Sequence, residues 1–212
     1  MAKLILVRHL LSQWNEENRF NGWADTPLAE GSAEKARELA EEIFKIQIDS
    51  IYTSRLFRNM DTVARILEYH KKYPLFIHLD KGRMKDWGNF TDLTENDIPS
   101  YVSEELNERY YGKLQGTNRE EIIKKYGEEQ FLKWRRGFKT PPPGGESLKD
   151  TYDRVIPFFK KYVEKDLKSG KNILMVLSHN AIRSIIKYIE KVSDEDIPKV
   201  EVPYGGRKEY NF

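Results

Sequence analysis

Two short apolar runs in this sequence each end in a histidine: Leu4-Ile5-Leu6-Val7 leads into Arg8-His9, and Ile173-Leu174-Met175-Val176-Leu177 leads into Ser178-His179-Asn180. A neutral imidazole is a competent nucleophile toward a phosphoryl group, and a covalent phosphohistidine splits one difficult transfer into two easier ones. A guanidinium stays ionised and offers paired donors that neutralise phosphoryl oxygens, so Arg8 stands beside His9 as a fitting cation. The loop that follows, Ser12 to Trp23, combines Ser, Asn and Gly with Trp14 and Trp23, a composition suited to an anion site. An isolated histidine there reads most simply as a hydrogen-bonded strand terminus. Arg8, Arg58 and the segment around Glu108 weigh against that simpler reading. His70 and His78 fall in a charged helix end and an amphipathic strand and receive no role.

The elements that must position these groups follow from hydrophobic period. Lys3 to Val7, Ser50 to Thr53 and Ile173 to Leu177 are largely apolar, as strands covered on both faces are. Helical spacing appears over 32–45 (Ala36, Leu39, Ala40, Ile43), 57–69 (Met60, Val63, Ile66, Leu67) and 181–190 (Ile182, Ile185, Ile186, Ile189). Ser147 with Asp150 predicts a weakened capping box opening a helix to about residue 168, kinked at Pro157. Strands alternating with helices predict an α/β fold: three layers, α/β/α, with a mostly parallel central sheet. Ligands of such sheets bind at the strands' carboxyl ends, where both histidines lie. The proline run Pro141–Pro143 reads as a surface loop, so a single domain over 1–212 is expected. Residues 75–104 read as a long excursion, with Phe76–Leu79 as a possible strand and then a flap bearing Trp87 and Phe90.

Composition excludes several classes. With 36 Lys and Arg against 34 Asp and Glu the net charge is only +2, so no global field points to nucleic acid or an anionic membrane. The absence of cysteine rules out disulfides and thiolate chemistry and is compatible with a reducing, cytoplasmic location. No metal-ligand spacing and no Gly-rich phosphate loop is evident.

Taken together, Arg8-His9 with Ser12, Trp14 and Asn15, Glu17 to Phe20, Gly22-Trp23, Tyr52 to Arg58, Leu106-Asn107-Glu108-Arg109-Tyr110-Tyr111-Gly112, Trp134-Arg135-Arg136 and Gly145-Glu146-Ser147 resemble the cofactor-dependent phosphoglycerate mutases of the histidine phosphatase superfamily. The resemblance covers nearly the whole chain. It implies His9 as the phosphorylated residue, Arg8 and Arg58 flanking the phosphoryl group, His179 as a further donor, and Glu108 as the proton-transfer residue. It further implies that Asn15, Asn18, Asn21, Gly22, Tyr111, Arg119, Arg135, Arg136 and Asn180 bind substrate. The implied reaction is the interconversion of 3-phosphoglycerate and 2-phosphoglycerate in glycolysis and gluconeogenesis, primed by 2,3-bisphosphoglycerate without a metal. Expected partners are small phosphoglycerates, neither nucleic acid nor membrane, with a homo-oligomer left open.

The chain departs from the family's pattern in several places. Leu10-Leu11 stand where Gly-Glu is usual; a site needing φ > 0 would be strained by about 1–3 kcal/mol, and otherwise Leu10 simply packs, the outcome favoured here. His179 passes directly to Asn180, and ungapped counting from Gly170 would put Ser178 in the histidine's place; His179 is the expected participant because serine cannot share a proton as imidazole does. Arg119 replaces a usual Lys and Asn21 a usual Thr. The polar stretch Gly206 to Glu209 and the end at Phe212 lead to the expectation of a less sealed site. The alternatives are a histidine-type phosphatase acting on small phosphometabolites and a catalytically impaired relative that binds them.

Overall fold

The computed structural model describes residues 1–88 and 92–212. Six strands make one sheet: β1 (Lys3–Arg8), β2 (Ser50–Ser54), β3 (Tyr73–His78), β4 (Asp97–Ser103), β5 (Ile173–Leu177) and β6 (Arg207–Asn211). Their order is β3-β4-β2-β5-β1-β6, with every neighbouring pair parallel except the antiparallel β1·β6 edge. The helices are α1 (Gln13–Glu16), α2 (Ser32–Ile43), α3 (Phe57–Glu68), α4 (Arg119–Tyr126), α5 (Glu128–Arg136), α6 (Leu148–Phe158), α7 (Glu164–Lys168) and α8 (His179–Glu190). No described helix is long and apolar enough to cross a membrane.

Alternation along the central strands builds two cores, because successive side chains leave a strand on opposite faces. Ile5, Val7, Ile51, Leu174 and Val176 pack with α2 and α3. Leu4, Leu6, Tyr52, Met175 and Leu177 pack with α6 and α8 on the other side. The result is the expected three-layer α/β/α arrangement.

The capping box at α6 is complete: Ser147 Oγ accepts from Asp150 N at 3.1 Å, and Asp150 Oδ2 accepts from Ser147 N at 2.8 Å. Pro157 lacks the amide that would donate back along the helix, and the backbone widens just beyond it into a π turn over Phe159–Val163 before resuming as α7. The excursion expected over 75–104 is corrected at both ends. β3 and β4 join the sheet there, with a 3-10 turn at Arg83–Gly88 holding Trp87. Phe90 lies outside the described residues. β4 is hard to read because Pro99 sits inside a strand flanked on both sides, where the lost donor usually argues against a strand. Ile98, Ser100 and Val102 nevertheless alternate inward. β6 is polar because it is an edge strand whose residues alternate between exposed and half-buried.

Leu10 belongs to the α2/α3 core and is 1% exposed. Among the described non-glycine residues only Asn18, Lys71 and Lys191 have positive φ, so position 10 holds no left-handed strain for a glycine to relieve. We expect Leu10→Ala to destabilise the fold by about 2–5 kcal/mol, since it removes buried methyl groups and leaves a cavity. Half-buried Leu11→Glu should shift stability by less than about 1 kcal/mol. Chemical denaturation of both variants checks the pair, and equal effects would show that Leu10 is not packed as described.

Candidate active site

The strand order sets the site. β4, β2, β5 and β1 are consecutive parallel neighbours, so the segments leaving their carboxyl ends lie side by side. From β1 come Arg8 and His9; from β5, the start of α8 with His179 and Asn180; from β2, α3 with Arg58; from beyond β4, Glu108. Added walls come from the first loop, from Tyr111 and Arg119, and from Arg135-Arg136 at the end of α5. Together they wall a cleft lined by six arginines against one carboxylate, that of Glu108.

His9 is buried at the centre. Its Nδ1–H donates to the carbonyl of Leu10 at 2.6 Å, which leaves Nε2 with its lone pair. Burial, then the charges of Arg58 and Arg8, hold its pKa well below the ordinary imidazole value, so the ring is neutral at physiological pH. Arg58 is fully buried: Nη2 donates to Gly22 O at 2.7 Å and Nη1 to Ala24 O at 3.0 Å, tying α3 to the first loop. Gly22 has φ +58°, and a Cβ there would fall 2.3 Å from Gln115 Oε1, the atom that accepts from Trp23 N. The loop therefore needs glycine at this point. Arg8 donates to Val202 O at 2.7 Å, and the Tyr204 ring covers its guanidinium at 3.6 Å while lying 5.7 Å from the His9 ring.

Glu108 is held at both oxygens. Oε1 accepts from Arg109 N at 2.6 Å and Asn180 Nδ2 at 2.7 Å, and Oε2 faces Asn180 N at 3.4 Å. Asn180 Nδ2 also donates to the Tyr111 hydroxyl at 3.1 Å, joined there by Arg109 Nη2 at 3.2 Å. Burial alone would raise the Tyr111 pKa; the charge of Arg109 and these two hydrogen bonds outweigh it and leave the phenol below its ordinary value.

The polar loop is internally satisfied. Ser12 Oγ donates to Asn15 Oδ1 at 2.7 Å and accepts from Asn21 Nδ2 at 3.0 Å, and Thr26 donates to Asn21 Oδ1 at 3.0 Å. Asn18 is the one residue of the expected site that does not line the cleft. It occupies the left-handed region at φ 57°, which asparagine tolerates, and receives Arg119 Nη1 on its Oδ1 at 3.1 Å and Arg119 N on its carbonyl at 3.1 Å. In the structure it braces Arg119.

His179 lines the cleft, but Nε2 accepts from Val202 N at 3.3 Å and lies 3.2 Å from Glu201 Oε2. Burial, followed by Arg183 and Arg8, pushes its pKa far down, so it too is neutral. Ser178 sits beneath it, fully buried, its hydroxyl 3.4 Å from Arg58 Nη2 and 3.2 Å from Asn59 Nδ2. Sequence reasoning missed Phe20, Arg183 and Tyr204 as cleft residues. Arg183 carried a signal: it interrupts the apolar face Ile182, Ile185, Ile186, and burial followed by Arg136 lowers its pKa to about 9. Among the described residues, no group of three or more His, Cys, Asp or Glu side chains is placed to hold a metal.

This fold and cleft define a histidine-phosphatase-type protein. The sequence profile of the Histidine phosphatase superfamily (branch 1) matches residues 4–101 and 93–212, and the chain belongs to that superfamily. It is 40% identical over 214 residues to the 2,3-bisphosphoglycerate-dependent phosphoglycerate mutase of Methanococcus vannielii, covering 100% of this chain and 91% of the relative. With the protein of that name from Chlamydia caviae it shares 42% over 207 residues, covering 97% and 91%. Within the superfamily it belongs to the phosphoglycerate mutase family that these relatives represent. A mycobacterial glucosyl-3-phosphoglycerate phosphatase complexed with VO3 superposes with a TM-score of 0.77 at 22% identity, covering 99% of this chain and 92% of that one, a likeness of fold.

Two neutral buried imidazoles fix a pH dependence. Their folded-state pKa values lie below the unfolded value of 6.5, so the unfolded chain binds the extra protons and stability falls as pH drops through 6.5 toward the folded values. Each contributes a loss of up to about 2 kcal/mol between pH 7 and pH 5. Urea midpoints across that window should fall, and less steeply in His9→Gln; an unchanged slope in that variant would show His9 to be protonated in the fold.

Proposed function

We infer that this chain interconverts 3-phosphoglycerate and 2-phosphoglycerate through a phosphohistidine at His9, primed by 2,3-bisphosphoglycerate. The observation that carries the reading is His9 itself: a neutral imidazole with Nδ1 anchored on Leu10 O and Nε2 free, in a cleft whose other charges are arginines with Glu108 among them. The names of the relatives at about 40% identity support the substrate and the cofactor.

The residues present fit a ligand with several anionic groups. Arg8, Arg58 and Arg119 each keep a buried Nε with no protein partner, so their donor capacity is not exhausted. When bound, 2,3-bisphosphoglycerate supplies the phosphoryl group that His9 receives. Nε2 forms the new N–P bond as the donor's P–O bond breaks, and Arg8 and Arg58 neutralise the charge on the phosphoryl oxygens. In the return step the substrate hydroxyl attacks phosphorus, the N–P bond breaks, and the hydroxyl proton passes to Glu108, which returns it in reverse. Backbone and amide donors from Arg109 and Asn180 hold that carboxylate in place. Arg119, Arg135 and Arg136 bind the remaining anionic groups, with Tyr111 and Asn180 on the substrate's polar flank.

Incubation with 2,3-bisphosphoglycerate should leave an acid-labile, base-stable phosphate on the protein, absent in His9→Ala; label surviving that substitution would refute the assignment. Because arginines neutralise the transferred group, turnover of 3-phosphoglycerate should persist in chelator. Glu108→Gln should lower kcat by about 10²–10⁴-fold and slow phosphorylation of His9 by bisphosphoglycerate as well. Unchanged kcat in that variant would remove Glu108 from the proton path.

A further inference from the structure

The arginines of the cleft are unevenly spread. His9 feels the charges of Arg58 and Arg8, whereas His179 feels Arg183, Arg136 and Arg135 in addition to Arg8. A ligand whose single phosphate sits on His9 leaves Arg183, Arg136 and Arg135 for any second anionic group it carries.

Part of that set is already engaged by the protein. Glu201 lies between the 3-10 turn Ile197–Lys199 and β6, and its side chain is 50% exposed at the cleft rim. Oε1 accepts from Arg136 Nη1 and lies 3.4 Å from Arg183 Nη2, while Oε2 is 3.2 Å from His179 Nε2. Pro198 O, on the same segment, accepts from both arginines, at 3.4 Å from Arg136 and 3.1 Å from Arg183. One carboxylate thus touches three cleft-lining side chains.

We propose that Glu201 is a specificity-determining residue that weakens the cleft's hold on ligands carrying a second anionic group away from His9, relative to ligands carrying one. The inference rests on the phosphoryl-transfer reading of the cleft. A phosphate carries about −1.5 to −2 charges near neutrality, so a second one placed near Arg136 and Arg183 meets the Glu201 carboxylate as a like charge and as a competitor for the same donors. The Glu201 carboxylate is half-exposed, so water can take up its charge when a ligand claims the arginine donors. The effect is a graded lowering of affinity that lets a doubly anionic ligand leave, not a block to its entry.

The test compares binding of inorganic phosphate and of 2,3-bisphosphoglycerate by calorimetry at low ionic strength, in a His9→Ala background that prevents transfer. Adding Glu201→Gln should lower the Kd for bisphosphoglycerate about three- to tenfold and change that for inorganic phosphate less than twofold. The difference should shrink in high salt, where such charges are screened. Weaker bisphosphoglycerate binding in Glu201→Gln would show that Glu201 orients the arginines for the ligand, and equal shifts for both ligands would show no discrimination; either result overturns the proposal. Glu201→Asp, which draws the carboxylate back, gives the same comparison with the same expected sign should the amide variant fail to fold. Bisphosphoglycerate that binds neither protein overturns the proposal together with the cleft reading. Should the protein with His9 intact interconvert no phosphoglycerate while the His9→Ala chain binds both ligands, the mutase reading alone is refuted, and the affinity ratio then still decides the role of Glu201.

Discussion

Everything at this site depends on keeping the guanidinium groups beside His9 ionised in a buried cleft without giving them carboxylates of their own. Arg58 is almost wholly buried, and its two terminal nitrogens rest on the carbonyls of Gly22 and Ala24. Arg109 is equally buried and uses Arg135 O and the Tyr111 hydroxyl. Carbonyl dipoles satisfy donors without cancelling charge, so the positive potential remains for a ligand. Added to burial, that potential also keeps His9 unprotonated. A nucleophile and the cations that neutralise its target are therefore products of one arrangement, and a carboxylate added close to His9 would damage both.

Such an arrangement has to be held from outside, because the arginines repel one another. The parallel sheet does this by delivering four chain segments to one end from adjacent strands, each leaving a strand buried on both faces. The first loop adds a second brace: its backbone carbonyls anchor Arg58, and its asparagines bond to Ser12 and Arg119. The Val202–Gly205 segment adds a third, since Val202 meets both Arg8 and His179 and Gly205 N bonds to the carbonyls of Arg8 and His9.

Much of this was legible in the residues. β1, β2 and β5 announce themselves as apolar runs, and the helices as apolar periods, because burial on both faces of a sheet leaves a strong pattern. Nearly all the expected site residues meet in one cleft, since the motifs sit at strand ends and strand ends converge. What stayed hidden has physical reasons. β4 carries a proline where a ladder donor belongs, and β6 is an edge whose pairing comes from backbone, so neither shows the pattern of a covered strand. Asn18 bonds Arg119 through a left-handed backbone that sequence alone does not display. The direction of the His179 ring depends on Val202 and Glu201, distant in sequence and brought close by the return of the chain to β6.

The charged last strand has a consequence for the molecule among its own copies. β6 presents Arg207 and Glu209 outward on the open side of the sheet, and β3, at the opposite side, begins with Tyr73 followed by Pro74. An open strand is a template for another chain, and charge or a missing amide spoils that template. Ribbon-like stacking of sheets is thereby opposed at both margins. A protein whose central strands are as apolar as Ile173-Leu174-Met175-Val176-Leu177 thus keeps its stickiest segments enclosed and surrounds them with borders that do not propagate.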